Sequence, residues 1–367
     1  MPITIDGTNG ITQAGEFNSD SSFGFKNRII NGAMVIDQRN AGASVTANNG
    51  VFGVDRFKIS ATQSSKGTMQ QNAGSVTPPA GFTNYLGLTS SSAFTPASGD
   101  LIALLHRVEG FNSADLAWGT ASAKTVTLSF WVYSSLTGTF GGGLGNSDGS
   151  YTYPFNYTIS AANTWEQKTI TITGATSGTW TADNSTGINI SWSLATGSTY
   201  SGTAGAWTSG VNAYNATGAT QPFSTNGATF YITGVQLEIG STATSFDYRP
   251  YTTELQLAQR YFCTSYVYGT AVGTITGNGA VRRWTDAGSV FASVQIVYPV
   301  SMRAAPSVTI YGTAAGGTSG QVSGDGRNVS GAVGGTSSTL YSFAYANNVS
   351  IGTNEGIGCN FTASAEL

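Results

Sequence analysis

Charge is what this 367-residue sequence has least of. Lysine and arginine number 15, aspartate and glutamate 18, and charged residues make up 9% of the chain, against about 25% in an ordinary globular protein. A net charge of -3 offers no basic face, so nucleic acid is not an expected partner. The single histidine, His106, cannot build a multi-histidine metal site, and Cys263 and Cys359 lie too far apart in sequence for a zinc knuckle. No metal ion and no cofactor is expected. Two free buried thiols are expected rather than a disulfide, because cytosolic folding disfavours bridges. No apolar run approaches the ~18–20 residues that cross a bilayer, so membrane insertion is not expected. The opening MPITIDGTNG has no basic segment followed by an apolar run, so the expectation is synthesis in a cytoplasm without a secretory signal.

Catalytic signatures are equally sparse. There is no G-x-S-x-G elbow and no GxxxxGK[ST] loop. The stretch GTFGGGLGNSDG (Gly138–Gly149) has no lysine and no βαβ context, and is expected to be a flexible turn. Glycoside hydrolysis needs two carboxylates facing each other across a sugar. Most acids here sit at turns, as in Asp6-Gly7, Asp148-Gly149 and Asp325-Gly326. Asp55 beside Arg56 and Glu109 beside Arg107 read as strand-end ion pairs, and Glu238 and Asp247 as partners for Arg249 or Arg260. His106, inside an apolar strand, reads as a core or interface residue. The chain is not expected to be an enzyme.

What the sequence does have is glycine (49 residues) and aromatics: 7 Trp, 17 Tyr and 18 Phe. A disordered chain has few aromatics and a high net charge. From Asn27 the pattern is all-β. Ile29, Ile30, Met34, Val35 and Ile36 are assigned to a first strand region, punctuated by Asn31-Gly32, and Phe52, Val54, Phe57 and Ile59 follow. Leu101–Val108 is a continuous apolar run suited to a buried strand. Val126, Leu128, Phe130 and Val132 alternate with polar residues and Trp131. Ile170 and Ile172 alternate with threonines, and Ile188, Ile190, Trp192 and Leu194 make a further strand. Many short strands with glycine-rich connections predict a jelly-roll β-sandwich.

The stretch VQLEIGSTATSFDYRPYTTELQLAQRYF (Val235–Phe262) divides the chain. It opens as a strand, turns at Gly240-Ser241, and then carries the one convincing helix signal. Pro250 fixes the start, Thr252 or Thr253 is a candidate cap, Glu254 suits the helix N-terminus, and Leu255, Ala258, Tyr261 and Phe262 share an apolar face. The expected organisation is an attachment arm over 1–26, a jelly-roll domain over 27–250, a hinge helix over 251–262, and a smaller antiparallel β-sandwich domain over 263–367. In that last part Val290, Ala292, Val294, Ile296 and Tyr298 are assigned to one strand face, and Val308, Ile310, Val333, Leu340, Phe343, Tyr345, Val349, Ile351, Ile357 and Phe361 continue between glycine-rich turns.

That hinge resembles the hinge of bacteriophage tail-fibre and virion-appendage proteins. NRIINGAMVIDQRNAG (Asn27–Gly42), VDRF (Val54–Phe57), TVTLSFWV (Thr125–Val132), NGATFYITG (Asn226–Gly234) and FTASAEL (Phe361–Leu367) extend the resemblance in order along nearly the whole chain. The sandwich also resembles jelly-roll carbohydrate-binding modules. Those often place an Asp near a structural calcium in their last strand, where this chain has Thr233-Gly234, so no calcium site is expected. The resemblance implies a virion location, attachment to other virion tail proteins through the N-terminal arm, contact with the host surface, and a homotrimer, for which Tyr261 and Phe262 are the candidate interface residues. The alternatives are a purely structural adaptor or head fibre, and a glycan-degrading spike.

Candidate binding residues come from the loops. The insertion Ala195–Thr225 is far longer than a strand connection needs, carries no charge, and holds Tyr200, Trp207, Tyr214 and Phe223. A second candidate region, Gly138–Tyr157, holds Tyr151, Tyr153, Phe155 and Tyr157. Sugars present C–H faces that stack on aromatic rings and hydroxyls that pair with amides. Trp207, with Tyr200, Tyr214, Tyr151 and Tyr153, is the expected host-glycan surface. The other reading is that these rings anchor a long loop to the sandwich.

Overall fold

The computed structural model describes residues 4–6, 10–13, 25–284, 293–324, 326–333, 339–347 and 356–367. In the arm, β1 (Thr4–Asp6) and β2 (Gly10–Gln13) form an antiparallel hairpin. The sandwich follows, as β3 (Val45–Thr46), β4 (Phe52–Val54), β5 (Phe57–Ala61), β6 (Gly67–Gln71), β7 (Leu86–Ser90), β8 (Leu101–Glu109), β9 (Val126–Ser134), β10 (Gly138–Gly145), β11 (Tyr151–Ile159), β12 (Glu166–Ile172) and β13 (Thr186–Thr196). The short β14 (Ser201–Gly202), β15 (Thr208–Ser209) and β16 (Asn215–Ala216) lie in the insertion, and β17 (Thr229–Ile239) completes the set. Seven strands pair in the order β15-β11-β10-β13-β8-β5-β4, and six in the order β12-β9-β17-β7-β6-β3.

The period-2 strands behave as their sequence dictates. Leu104 on β8 lies opposite both Trp192 and Ile59, and Phe130 on β9 shares its face with Leu128 and Val132. These side chains are fully buried between the two sheets. Each such burial contributes about 1.5–3 kcal/mol. His106 sits among them as a core histidine. Its ring centroid is 4.8 Å from that of Phe57, Nε2 is 3.2 Å from the Ile30 carbonyl, and burial pushes its pKa well down.

Two local expectations are corrected. Of Gly138–Gly149, only the end after Gly145 is a turn. Gly138–Gly145 is β10, a strand paired on both sides, and with β11 it makes a hairpin in which Tyr153, Phe155 and Tyr157 are buried. Its glycines permit close approach: a Cβ on Gly141 would meet Asn215 Oδ1 at 2.1 Å, and one on Gly143 the Ala213 carbonyl at 2.1 Å. The insertion therefore lies against the outer face of the seven-stranded sheet, where any larger side chain would lift it off. Asn27–Ile36 is not a strand. Asn31 and Met34 adopt φ of 63° and 59°, and the Asn31 amide caps the loop by bonding the Ile36 N–H and carbonyl and the Asp55 carbonyl. Asn27 does the same between Ile29, Val235 and Leu237.

The helix α1 spans Tyr251–Gln259 and ends three residues earlier than expected. Pro250 is the N-cap residue, and no side-chain cap bond forms, so neither threonine caps it. Glu254, in the first turn, instead ties the helix to the loop before the sandwich, accepting the Asn31 N–H and pairing with Arg249 at 3.1 Å. After it come β18 (Phe262–Thr264), β19 (Val281–Trp284), β20 (Ser293–Val297), β21 (Ser307–Tyr311), β22 (Gln321–Gly324), β23 (Arg327–Val333), β24 (Ser342–Asn347) and β25 (Gly356–Ser364). Strand β25 pairs with β18 and β21 along one half and with β19 and β22 along the other, which wraps an eight-stranded sheet around its own core of Met302, Ile310, Val322, Phe343 and Phe361. Val290, Ala292, Val349, Ile351 and Asp325 lie outside the described residues. Cys263 and Cys359 are buried and unbridged. Among the described residues the fold is all-β, with one short α-helix between two β units.

The junction of these units is ionic and aromatic. The ion-pair partners differ from those expected from sequence neighbours. Arg39 bridges Asp55 (2.6 Å) and Glu366 (2.8 Å), Arg56 takes the second oxygen of Glu366, and Arg260 pairs with Glu109 at 2.6 Å. Asp247 does pair with Arg249, at 3.9 Å, as expected, whereas Glu238 accepts from Gln236 and Thr244 instead of an arginine. Tyr261 and Phe262 belong to this junction. Tyr261 is fully buried, donates a hydrogen bond from its hydroxyl to Glu109 at 2.5 Å, and carries the Arg56 guanidinium 3.6 Å above its ring. Phe262 is 6% exposed and lies 3.6 Å under Arg39. Contacts within the chain occupy most of both rings.

Candidate functional site: two aromatic surfaces

The five residues singled out in the sequence do not form one surface. Trp207, Tyr151 and Tyr153 join Trp118 and Trp180 in a nest packed against the sandwich core. Trp207 stacks on Tyr151 at 5.3 Å and 1° between planes, and meets Trp118, Trp180 and Tyr153 edge-on at 5.4–5.6 Å. All three indole N–H groups are committed within the chain: Trp207 to Thr173 O (2.7 Å), Trp118 to Lys124 O (2.8 Å) and Trp180 to Ser177 O (3.0 Å). Tyr153 is buried, and Trp207, Trp180 and Tyr151 are half-buried. Trp207 directly precedes β15, whose pairing with Tyr151 and Thr152 pins this end of the insertion. Tyr200 and Tyr214 form a separate edge-to-face pair with centroids 6.0 Å apart, tied by Tyr214 N to Tyr200 O at 2.9 Å.

A second aromatic surface lies at the junction and was missed. A cleft of about 510 Å³ opens between α1 and the segment Thr264–Thr270, within the roughly 300–1,000 Å³ range of ligand sites. Tyr251, Leu255 and Gln259 line one wall, at positions i, i+4 and i+8 of a single helix face. Tyr268 forms the other wall. Thr270 N donates to Val267 O across a turn in which Gly269 sits at φ +82°, a conformation suited to glycine at the third position of a type II turn. That turn puts Tyr268 at its corner with 74% of its surface exposed. Tyr251, placed at the first helical position by Pro250, is 45% exposed, and the two rings meet edge-to-face at 6.0 Å.

The polar groups of the cleft divide into committed and available. Asp37 is the one carboxylate among its lining residues, and both of its oxygens accept backbone N–H groups, from Asn40 (2.9 Å) and Gly42 (2.8 Å). Burial raises its pKa against those bonds. Gln38 donates its amide to Asp55 and to Phe262 O. The Tyr251 and Tyr268 hydroxyls and the Gln259 amide have no hydrogen-bond partner among the described residues. Two presented rings, an apolar floor of Leu255 and Val267, and uncommitted hydroxyl and amide groups are the chemistry that stacks on a sugar's C–H face and pairs with its hydroxyls. The i, i+4, i+8 spacing from Tyr251 was visible in the sequence. Its partner Tyr268 was not, because it lies on a turn with no periodicity.

No family model and no curated protein matches this chain. Among solved structures the chain is similar to the enzymatically active domain of tailspike protein 4 of bacteriophage CBA120, at 13% identity over 59% of this chain and 22% of that one, with a TM-score of 0.32. It is also similar to a sugar-binding protein, so described, from Bacteroides thetaiotaomicron (12% identity, 58% and 100% covered, TM-score 0.31). A third is the family 11 carbohydrate-binding module of a Clostridium thermocellum cellulase (11% identity, 56% and 97% covered, TM-score 0.27). The matched part spans about a fifth of the tailspike chain.

Proposed function

We propose that this chain is a subunit of a phage tail fibre or similar virion appendage, and that it recognises glycans on the host surface without chemical change to them. The observation that carries the binding role is the Tyr251–Tyr268 cleft, where two exposed rings flank hydroxyl and amide groups that the fold leaves unused. The non-catalytic part of the reading is supported by the cleft's lining, which holds one carboxylate, Asp37, where glycoside hydrolysis needs a facing pair. The virion assignment rests on the sequence resemblance. It gains support from where the resembling stretches lie: Asn27–Gly42, Val54–Phe57, the hinge and Phe361–Leu367 all supply residues to one junction, through Asn31, Arg39, Asp55, Arg56, Glu254 and Glu366. Attachment through residues 1–26 and trimeric assembly belong to the same proposal.

A glycan array with the intact protein tests the binding role. Wild type binds a subset of neutral glycans, and Tyr268→Ala loses that binding by about tenfold or more while melting like wild type. Each ring contributes little, so many copies on a virion supply useful strength. Undiminished glycan binding by Tyr268→Ala overturns the assignment of the cleft. Particles that assemble without this chain and still adsorb to cells overturn the appendage role.

A further inference from the structure

We propose that Arg107, on the outer face of the seven-stranded sheet, is the anchor of a second subsite that takes the oxyanion of an acidic polysaccharide. The inference rests on the reading of the chain as a glycan binder, and adds a charged ligand class at a separate place. Arg107 lies directly across the ladder from Asn189, and its Nε donates to Asn189 Oδ1 at 3.0 Å. The Asn189 amide is itself fixed, donating to Asn146 O at 2.7 Å and Ser147 O at 3.3 Å. The guanidinium is therefore oriented from behind, while its two terminal nitrogens have no hydrogen-bond or ion-pair partner among the described residues. A planar fork held by its Nε and left open at both Nη groups matches a two-oxygen anion.

The surroundings fit the same ligand. Arg107 is half-buried, and its partner Asn189 also lines a small polar well with Asn146, Ser191, Asn212 and Tyr214. Lys58, on β5, is a second half-buried cation of the same face, with Nζ donating to the Leu367 carbonyl at 2.6 Å. Nearby Arg39 and Arg56 are already matched by Asp55 and Glu366. Glu366 is the one carboxylate that acts electrostatically on Arg107, and its two oxygens are held by those arginines. Burial first, and then the charge of Arg107, push the Lys58 ammonium down to about 8, while Glu366 acts the other way. Arg107 is a cation of this group whose charged tip no carboxylate holds among the described residues.

Calorimetric titration of the intact protein with polygalacturonate, poly(glycerol phosphate) and dextran tests the proposal and separates carboxylate from phosphate sources. The expected result is binding of at least one anionic polymer, weakened by salt. Arg107→Gln lowers that affinity about tenfold and flattens the salt dependence, and Arg107→Lys, which keeps the charge but not the fork, restores part of it. Tyr268→Ala leaves anionic binding in place while neutral glycan binding falls, which distinguishes failure here from failure of the cleft. The proposal is overturned if dextran binds as well as the anionic polymers, if a correctly melting Arg107→Gln binds them like wild type, or if Tyr268→Ala abolishes both kinds of binding.

Discussion

The tryptophan nest and the tyrosine cleft are both aromatic, both built from residues far apart in sequence, and physically opposite. In the nest every indole N–H is bonded inside the chain, and the rings stack on one another. In the cleft the rings touch only at an edge, and the hydroxyls have no partner among the described residues. The nest closes the end of the sandwich and fixes the insertion. The cleft leaves ring surface and donors for something else. Aromatic density alone therefore does not mark a binding surface here; uncommitted polar groups beside exposed rings do.

The sharpest way to break that contrast is to remove Trp207. Trp207→Ala is expected to cost about 3 kcal/mol of stability, from lost packing and an unpaired Thr173 carbonyl, seen as a lowered chemical-denaturation midpoint. Its effect on glycan affinity near neutral pH and well below melting should be small. A variant that melts normally and no longer adsorbs to host cells would return the binding role to the nest.

The next largest effect separates the two surfaces by pH. The nest is neutral, whereas Gln38 and Asp37 of the cleft adjoin the Arg39–Asp55–Glu366 network. Burial alone would push the Glu366 carboxyl up, but Arg56 and Arg39 together outweigh it and hold it below the usual range. A carboxyl with a depressed folded pKa contributes stability that is present above its ordinary, unfolded value, 4.5 for this group, and is lost as pH falls through the folded value. Glu366→Gln should remove about 2 kcal/mol at neutral pH by leaving buried Arg56 short of its partner, and should flatten the acid limb of the stability profile. Stability of Glu366→Gln equal to wild type at pH 7 would contradict the role given to this junction.

Smaller again is Tyr268→Ala, expected to lower glycan affinity by about tenfold, or about 1.4 kcal/mol, with a stability change within about 0.5 kcal/mol because the ring is exposed. The smallest is Trp207→Phe. It keeps a ring in the nest and deletes one bond, for about 1 kcal/mol of stability and no change in binding. A binding loss in Trp207→Phe equal to that in Tyr268→Ala would erase the distinction between the surfaces.

The sequence displayed the sandwich wherever one face of a strand is buried. Leu101–Glu109, Val126–Ser134 and Thr229–Ile239 are strands because their apolar residues alternate or run on without polar breaks. It hid structure wherever backbone, not side chain, decides the packing. Gly141 and Gly143 look like a turn because they have no side chain, yet their place in a strand depends on that lack. Asn27–Ile36 looks like a strand because it is apolar, and two left-handed residues make it a loop. The candidate site was hidden for a related reason. Trp207 drew attention as a large ring in a polar loop, and nothing local records that Thr173, 34 residues away, takes its N–H. Tyr268 stands out only once Gly269 has turned it toward the helix.

Hydroxyl-radical footprinting of the intact protein, with and without a glycan selected on the array, tests the central claim most directly, because it reads each exposed ring separately. The account predicts protection of Tyr251 and Tyr268 on binding, with Trp180 and Trp207 unchanged. Protection of Trp180 and Trp207 with Tyr251 and Tyr268 still reactive would contradict it.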